Sequence, residues 1–385
     1  MEVPLLDLKA QYNKIREEVR FAIDEVMESQ SFILGPKVEA LENAIAGYSG
    51  TKYAVGVSSG TDALLVSLMA LDIKPGDEVI TTPFSFFATA GVIARLHATP
   101  VFVDIDPITF NIDSALIGNA ITPKTKAIIP VHLFGQCADM DRILEAARKH
   151  GLPVIEDSAQ AIGAEYGGRK AGSLGEIGAF SFFPSKNLGA CGDGGMVVTD
   201  NTDLYEKIQI LRQHGSAKTY HHKYIGGNFR LDALQAAILT VKLKHLDVWS
   251  AARRANAAYY TRRYQEIGLV AKDRIIPPTE AEMPSSSRSR HIYNQYTLRA
   301  VNRDGLHGHM KKNGIGCAIY YPVPLHLQTC FQELGYKLGD FPNAEKAASE
   351  VLSIPVYPEL SDEQKEFVVQ TIASFYSPGP KGVDA

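Results

Sequence analysis

Glu156-Asp157-Ser158-Ala159-Gln160 and Ser181-Phe182-Phe183-Pro184-Ser185-Lys186 are the two stretches on which the reading of this chain turns. The first closes an apolar run, Leu152-Pro153-Val154-Ile155, that reads as a buried strand. The second sets a single lysine after an aromatic strand and before a Gly-rich loop, Asn187 to Gly195. Taken singly, Asp157 reads as a strand-end cap and Lys186 as a solvated loop lysine. Together they place two chemistry-bearing residues at strand ends, where the ligands of α/β sheets bind.

A third segment decides between those readings. The strand candidate Tyr53-Ala54-Val55-Gly56-Val57 runs into Ser58-Ser59-Gly60-Thr61, and a helix follows with apolar positions at Leu64, Leu65, Leu68 and Leu71. Small residues opening a helix leave free N–H groups at the positive end of its dipole, which suits a phosphate monoester. The segment is neither a Walker loop nor GxGxxG, which argues against nucleoside triphosphates and dinucleotides. A lysine, a strand-end carboxylate and a phosphate cradle are what pyridoxal phosphate (PLP) requires. The lysine forms a Schiff base, and the carboxylate keeps the pyridinium nitrogen protonated so that the ring acts as an electron sink.

Other strand-like runs alternate with helical patterns: Glu78–Thr81, Thr99–Val103, Ala127–Val131 and Pro153–Glu156, with a helix over Met140–His150. This alternation favours an α/β fold with a mostly parallel sheet. Leu231 to Ile267 is helix-rich and links this part to a smaller α+β unit, in which Tyr293 to Arg299 reads as a strand. Pro277 to Arg290 reads as a mobile surface loop and 378–385 as a disordered tail. The expected division is 1–245 for the large domain and 246–377 for the small one. A chain of 385 residues with 45% hydrophobic content can bury cores of that size.

The net charge of −4 gives no basic footprint for nucleic acid. The four cysteines, Cys137, Cys191, Cys317 and Cys330, show neither CxxC nor zinc spacing. Reduced thiols, the absence of a signal-peptide pattern and the lack of a long apolar run point to the cytoplasm and away from the membrane. His221-His222 has no third ligand at metal spacing, so no metal is expected.

These residues are similar to those of the DegT/DnrJ/StrS sugar aminotransferases, PLP enzymes of fold type I. The matching stretches are Phe32–Pro36, Ser58–Leu64, Pro83–Phe86, Val131–Gly135, Glu156–Ala161, Phe180–Gly195 and Asn228–Asp232, in the family's order to about residue 360. The resemblance implies a seven-stranded, mostly parallel sheet between helices and a homodimer with shared active sites. It implies that Lys186 and Asp157 are catalytic. Gly60, Thr61, Phe84, Gln160, Ser181 and Asn228 join them around PLP. Phe84 is expected over the ring, Gln160 by its 3-hydroxyl and Ser181 on the phosphate, with Asn228 reaching the phosphate from the partner subunit. His221, Arg230, Tyr320 and His326 are expected near the substrate.

By the same resemblance, L-glutamate is the amino donor and a nucleotide-linked keto-sugar the acceptor, in amino-sugar biosynthesis for lipopolysaccharide, O-antigen or antibiotics. The form Asn228-Phe229-Arg230-Leu231-Asp232 resembles the group that forms 3-amino sugars. Tyr220-His221-His222 looks like members acting on UDP-linked 3-keto N-acetylhexosamines. Alternatives are a 4-keto-6-deoxy sugar aminotransferase, another fold-type I enzyme such as an amino-acid lyase, and a regulatory, non-enzymatic relative.

Overall fold

The computed structural model describes residues 1–280 and 289–377. Part of the Pro277–Arg290 loop and the whole of the 378–385 tail lie outside the described residues.

Seven strands form one sheet in the order Tyr53–Val57, Gly195–Thr199, Ile177–Ser181, Ile155–Asp157, Thr125–Ile128, Glu78–Thr81 and Thr99–Phe102. Bridges from Ile128 to Val154 and from Val131 to Asp157 join its two halves. Gly195–Thr199 runs antiparallel to both neighbours, and the other pairings are parallel. Parallel sheets need both faces covered, and the side-chain alternation supplies this. Phe180, Phe182, Met196 and Val198 face the helices Leu8–Ser29, Pro36–Ser49 and Ala233–Leu243. Ile177, Ala179, Val197 and Val55 face the helix Gly60–Ala70 on the other side. Each fully buried Leu, Val or Phe contributes roughly 1.5–3 kcal/mol, so the two faces dominate the stability of this unit.

The strand expected at Ala127–Val131 begins earlier, at Thr125, and its regular ladder ends at Ile128. Pro130 lacks an N–H and cannot continue the ladder, although its carbonyl still accepts from Asp157 at 2.9 Å.

Near the C-terminus, Ile275–Ile276, Tyr296–Ala300 and Val351–Ile354 form an antiparallel sheet with a separate core. The helices Arg303–Lys312 and Asp362–Tyr376 contribute Leu306, Met310, Val368 and Ile372 to that core. The helix Leu246–Glu266 serves both units. Trp249 packs in the large core, whereas Ala257, Tyr260 and Tyr264 pack in the small one. Val3 bridges to Ile315 and is buried in the small core, so the first residues run with the C-terminal unit.

Candidate active site

The carboxyl ends of the parallel strands meet at a cavity of about 400 Å³, within the size range of small-molecule sites. Its walls include Gly60, Thr61, Phe86, Asp157, Lys186 and Tyr321. Three local structures present these groups.

The first is the strand–helix turn after Val57. Ser59 caps the helix by accepting from Asp62 N–H at 3.0 Å, and the Ser58 and Ser59 hydroxyls donate to the Asp62 carboxylate. That leaves the Gly60 and Thr61 N–H groups at the start of an 11-residue helix. A Cβ on residue 60 would stand 2.5 Å from Ser181 Cβ, and one on residue 195 would stand 2.3 Å from Ser59 O. Glycine at both positions lets three chain segments close into a cradle lined with N–H groups and the Ser181 hydroxyl, suited to an anion.

The second is the lysine turn. After the strand Ile177–Ser181 the chain folds back, with Lys186 N–H donating to Phe183 O at 2.8 Å. Gly189 allows close approach to Pro184, where a Cβ would lie 2.3 Å from the carbonyl oxygen. Burial of the Lys186 amine lowers its pKa to about 8, against the opposing pull of Asp157.

The third is the end of the strand Ile155–Asp157. Asp157 is 5% exposed, and burial raises its pKa. Opposing that rise, Thr89 donates to Oδ2 at 2.8 Å and Ala159 N–H to Oδ1 at 3.2 Å. Thr89 spends its one proton on the carboxylate, so Ser85, 2.9 Å away, must donate to Thr89. Behind Asp157, His132 Nδ1 accepts from Ala138 N–H at 3.1 Å. His132 Nε2 therefore carries the proton and donates to Glu156 at 2.8 Å. Glu156 also accepts from Gly172, Leu174 and Gly175 N–H, which locks the base of the strand.

Of the residues expected from sequence, Gly60, Thr61, Asp157, Gln160, Ser181, Lys186 and Tyr320 line this cavity. Phe84 is a correction. It is fully buried, edge-on to Tyr321 at 6.1 Å and tilted against Phe110 at 6.2 Å. The ring presented to the cavity is Phe86, which is 58% exposed. His326 is a second correction. A 3₁₀ turn holds it 1% exposed, with Nε2 3.0 Å from Glu345 and its ring 4.7 Å from Phe341, so it packs beneath the site and does not line it.

His221 and Asn228 are exposed and lie outside this chain's cavity. His221 belongs to a two-stranded ribbon, and Asn228 bridges to Gln213. Arg230 bridges to Val57, and its buried Nε has no partner. Among the described residues, no group of three His, Cys, Asp or Glu is placed to hold a metal ion, and no helix is long and apolar enough to cross a membrane.

Sequence reasoning missed Tyr321. Gln160 Oε1 accepts from Phe134 N–H at 2.7 Å, which fixes the amide, and Nε2 then donates to Tyr321 Oη at 3.0 Å. The phenol's own proton remains available to a ligand. Burial raises the phenol pKa, so it stays a donor at neutral pH. The sequence signal was present, because Tyr321 adjoins Tyr320, but local pattern does not choose between the two rings.

The model of the DegT/DnrJ/EryC1/StrS aminotransferase family matches residues 13–373. A protein of Geobacillus stearothermophilus named a pleiotropic regulatory protein is 53% identical, over 98% of this chain and 99% of its own. The UDP-N-acetyl-3-dehydro-alpha-D-glucosamine 3-aminotransferase of Acidithiobacillus ferrooxidans is 47% identical, over 94% and 95%. Among solved structures, S. venezuelae DesV in complex with a ketimine intermediate superposes with a TM-score of 0.92 at 41% identity, covering 98% of this chain and 100% of its own.

Proposed function

Because the chain belongs to the DegT/DnrJ/EryC1/StrS family of PLP-dependent aminotransferases, we propose that it moves an amino group from L-glutamate to C3 of a UDP-linked 2-acetamido-3-keto-hexose. The observation that carries the catalytic reading is the convergence of Lys186, Asp157 and the Gly60–Thr61 helix start on one cavity.

That cavity offers a partner for each polar part of the cofactor. Gly60, Thr61 and Ser181 would hold the phosphate, Lys186 the aldehyde carbon and Asp157 the ring nitrogen. Phe86 would cover a ring face, with Gln160 and Tyr321 at its edge. Bound there, PLP supplies an electron sink that makes the C–H bond beside the amino nitrogen acidic. The protein's own work is done by two groups. Asp157, whose anionic form the Thr89 and Ala159 donors favour against the cost of burial, would hold a negative charge where a positive one must be retained. Lys186 Nζ takes a proton from the donor carbon and returns it, and a pKa of about 8 suits both directions near neutral pH.

Asn228, His221 and Arg230 act, in this reading, at the partner's site of a homodimer. All three lie outside the chain's own cavity, and His221 and Asn228 are exposed, which supports it. Sedimentation should give a dimer with an interface above about 2,000 Å². A monomer with full activity would refute the shared site.

The choice of C3 rests on the Asn228–Asp232 form and on the A. ferrooxidans relative, which is named for amination at that carbon. The test combines protein, PLP and glutamate with UDP- and dTDP-linked 3- and 4-keto sugars. The expected result is a kcat/KM at least about 100-fold higher for the UDP-3-keto-N-acetylhexosamine, the scale set by a site built around one ketone position. Nitrogen found at C4 by NMR would overturn the position and leave the aminotransferase assignment standing.

A further inference from the structure

The strand Tyr53–Val57 is an outer edge of the sheet, so the backbone groups on its free side need partners other than a strand. At Gly56 a buried ion pair supplies them. Glu42, on the helix Pro36–Ser49, accepts from Gly56 N–H at 2.8 Å. Arg212 Nη1 donates to Gly56 O at 3.0 Å and to the same Glu42 oxygen. Glu42 and Arg212 are 8% and 5% exposed. Arg212 also follows the helix Thr202–Leu211, and its carbonyl accepts from Phe229 N–H at 3.1 Å. Phe229 O in turn accepts from Ser58 N–H at 2.9 Å, and Arg230 bridges to Val57. On the other side, Gly227 N–H donates to Leu211 O at 3.1 Å. Asn228 therefore has both neighbours pinned, while its exposed side chain has no hydrogen-bond partner among the described residues.

We infer that the Glu42–Arg212 pair is a positioning device for the partner's active site, holding Gly227–Arg230 in register along the sheet edge so that Asn228 and Arg230 meet a second copy already ordered. The inference rests on the shared-site reading above. Isolated bridges specify register weakly, and a slip of one residue would turn Asn228 inward and Phe229 outward. Arg212 prevents the slip from both ends of the residue. Its guanidinium fork meets Glu42 and the Gly56 carbonyl, and its own carbonyl holds Phe229. Removing either partner would leave the other charge buried and uncompensated, and the segment would shift. Neither Glu42 nor Arg212 lines the cavity of its own chain, so both act through the segment they hold. A segment ordered before the subunits meet loses less freedom when Asn228 engages the ligand.

The test uses PLP-loaded dimers carrying Arg212→Met or Glu42→Gln, assayed with L-glutamate and the UDP-3-keto-N-acetylhexosamine. Arg212→Met alone should lower kcat/KM for the keto-sugar about 100-fold, the scale of a displaced positioning element remote from the chemistry. Hybrid dimers then decide where the loss falls. Each variant is co-expressed with Lys186→Ala on a second affinity tag, and sequential capture isolates the mixed dimer. In the hybrid of Arg212→Met with Lys186→Ala, one site joins Lys186 to an intact segment from the other chain, so about half of the wild-type activity per dimer should return. Asn228→Ala paired with Lys186→Ala should recover in the same way, and it reports on the shared site itself. Glu42→Gln is nearly isosteric and keeps an acceptor for Gly56 N–H. It should give a smaller loss with the same recovery, and it carries the test if Arg212→Met does not fold. Wild-type activity in folded Arg212→Met dimers overturns the inference. So does a dead Arg212→Met hybrid when the Asn228→Ala hybrid recovers, because the pair would then serve only the Ser58–Gly60 turn of its own chain. If the Asn228→Ala hybrid stays dead, the shared-site reading itself has failed.

Discussion

Lys186→Ala should remain folded and lose at least about 10⁴ in kcat, the upper end of what a positioned acid–base group contributes. It should also lose the borohydride-reducible visible absorbance of bound PLP, because no other amine is placed to replace it among the cavity-lining residues. The surroundings explain why the loss is so complete. The amine is enclosed, with its pKa lowered to about 8, so about a tenth of it is in the neutral form needed to capture an aldehyde at pH 7, far more than for a free lysine. A pH dependence follows. In the cofactor-free protein the neutral fraction rises with pH up to about 8 and then levels. The rate of PLP capture should climb roughly tenfold per pH unit below that point and flatten above it. A variant that transaminates at the wild-type rate would end this mechanism.

Asp157→Asn should bind PLP and lose about 10³ in kcat, comparable to the removal of a preorganised electrostatic partner from a buried site. The substitution is nearly isosteric, and Ala159 N–H can still donate to the amide oxygen. What disappears is the negative charge that Thr89 and Ala159 are arranged to hold against the cost of burial. Thr89→Val should reproduce part of the loss, because it removes the donor and leaves the carboxylate. Wild-type kcat in Asp157→Asn would show that the carboxylate acts only as a strand-end cap.

The residues most legible in the sequence are those whose roles are set locally. Asp157 ends its strand, Lys186 follows its own by a short turn, and Gly60–Thr61 open a helix. Strand and helix ends are encoded within a few residues, so such groups can be placed from pattern alone. The position of Phe86 was not legible. Phe84, Phe86 and Phe87 fall within four positions, and which ring faces the cavity depends on Phe110 and Tyr321, both distant in sequence. His326 shows the same limit, since its burial is decided by Glu345 and Phe341. Alternation announced a mostly parallel sheet. It did not announce that Gly195–Thr199 lies antiparallel between Tyr53–Val57 and Ile177–Ser181.

The helix Leu246–Glu266 has a thermodynamic consequence. Its 21 residues extend about 30 Å as a continuous hydrogen-bonded rod. One end is anchored through Trp249 and the other through Tyr260 and Tyr264. Melting either unit alone would strip apolar contacts from a helix that the surviving unit still needs intact. The two units should therefore melt in one calorimetric transition, and two resolved transitions would show that the shared helix does not couple them.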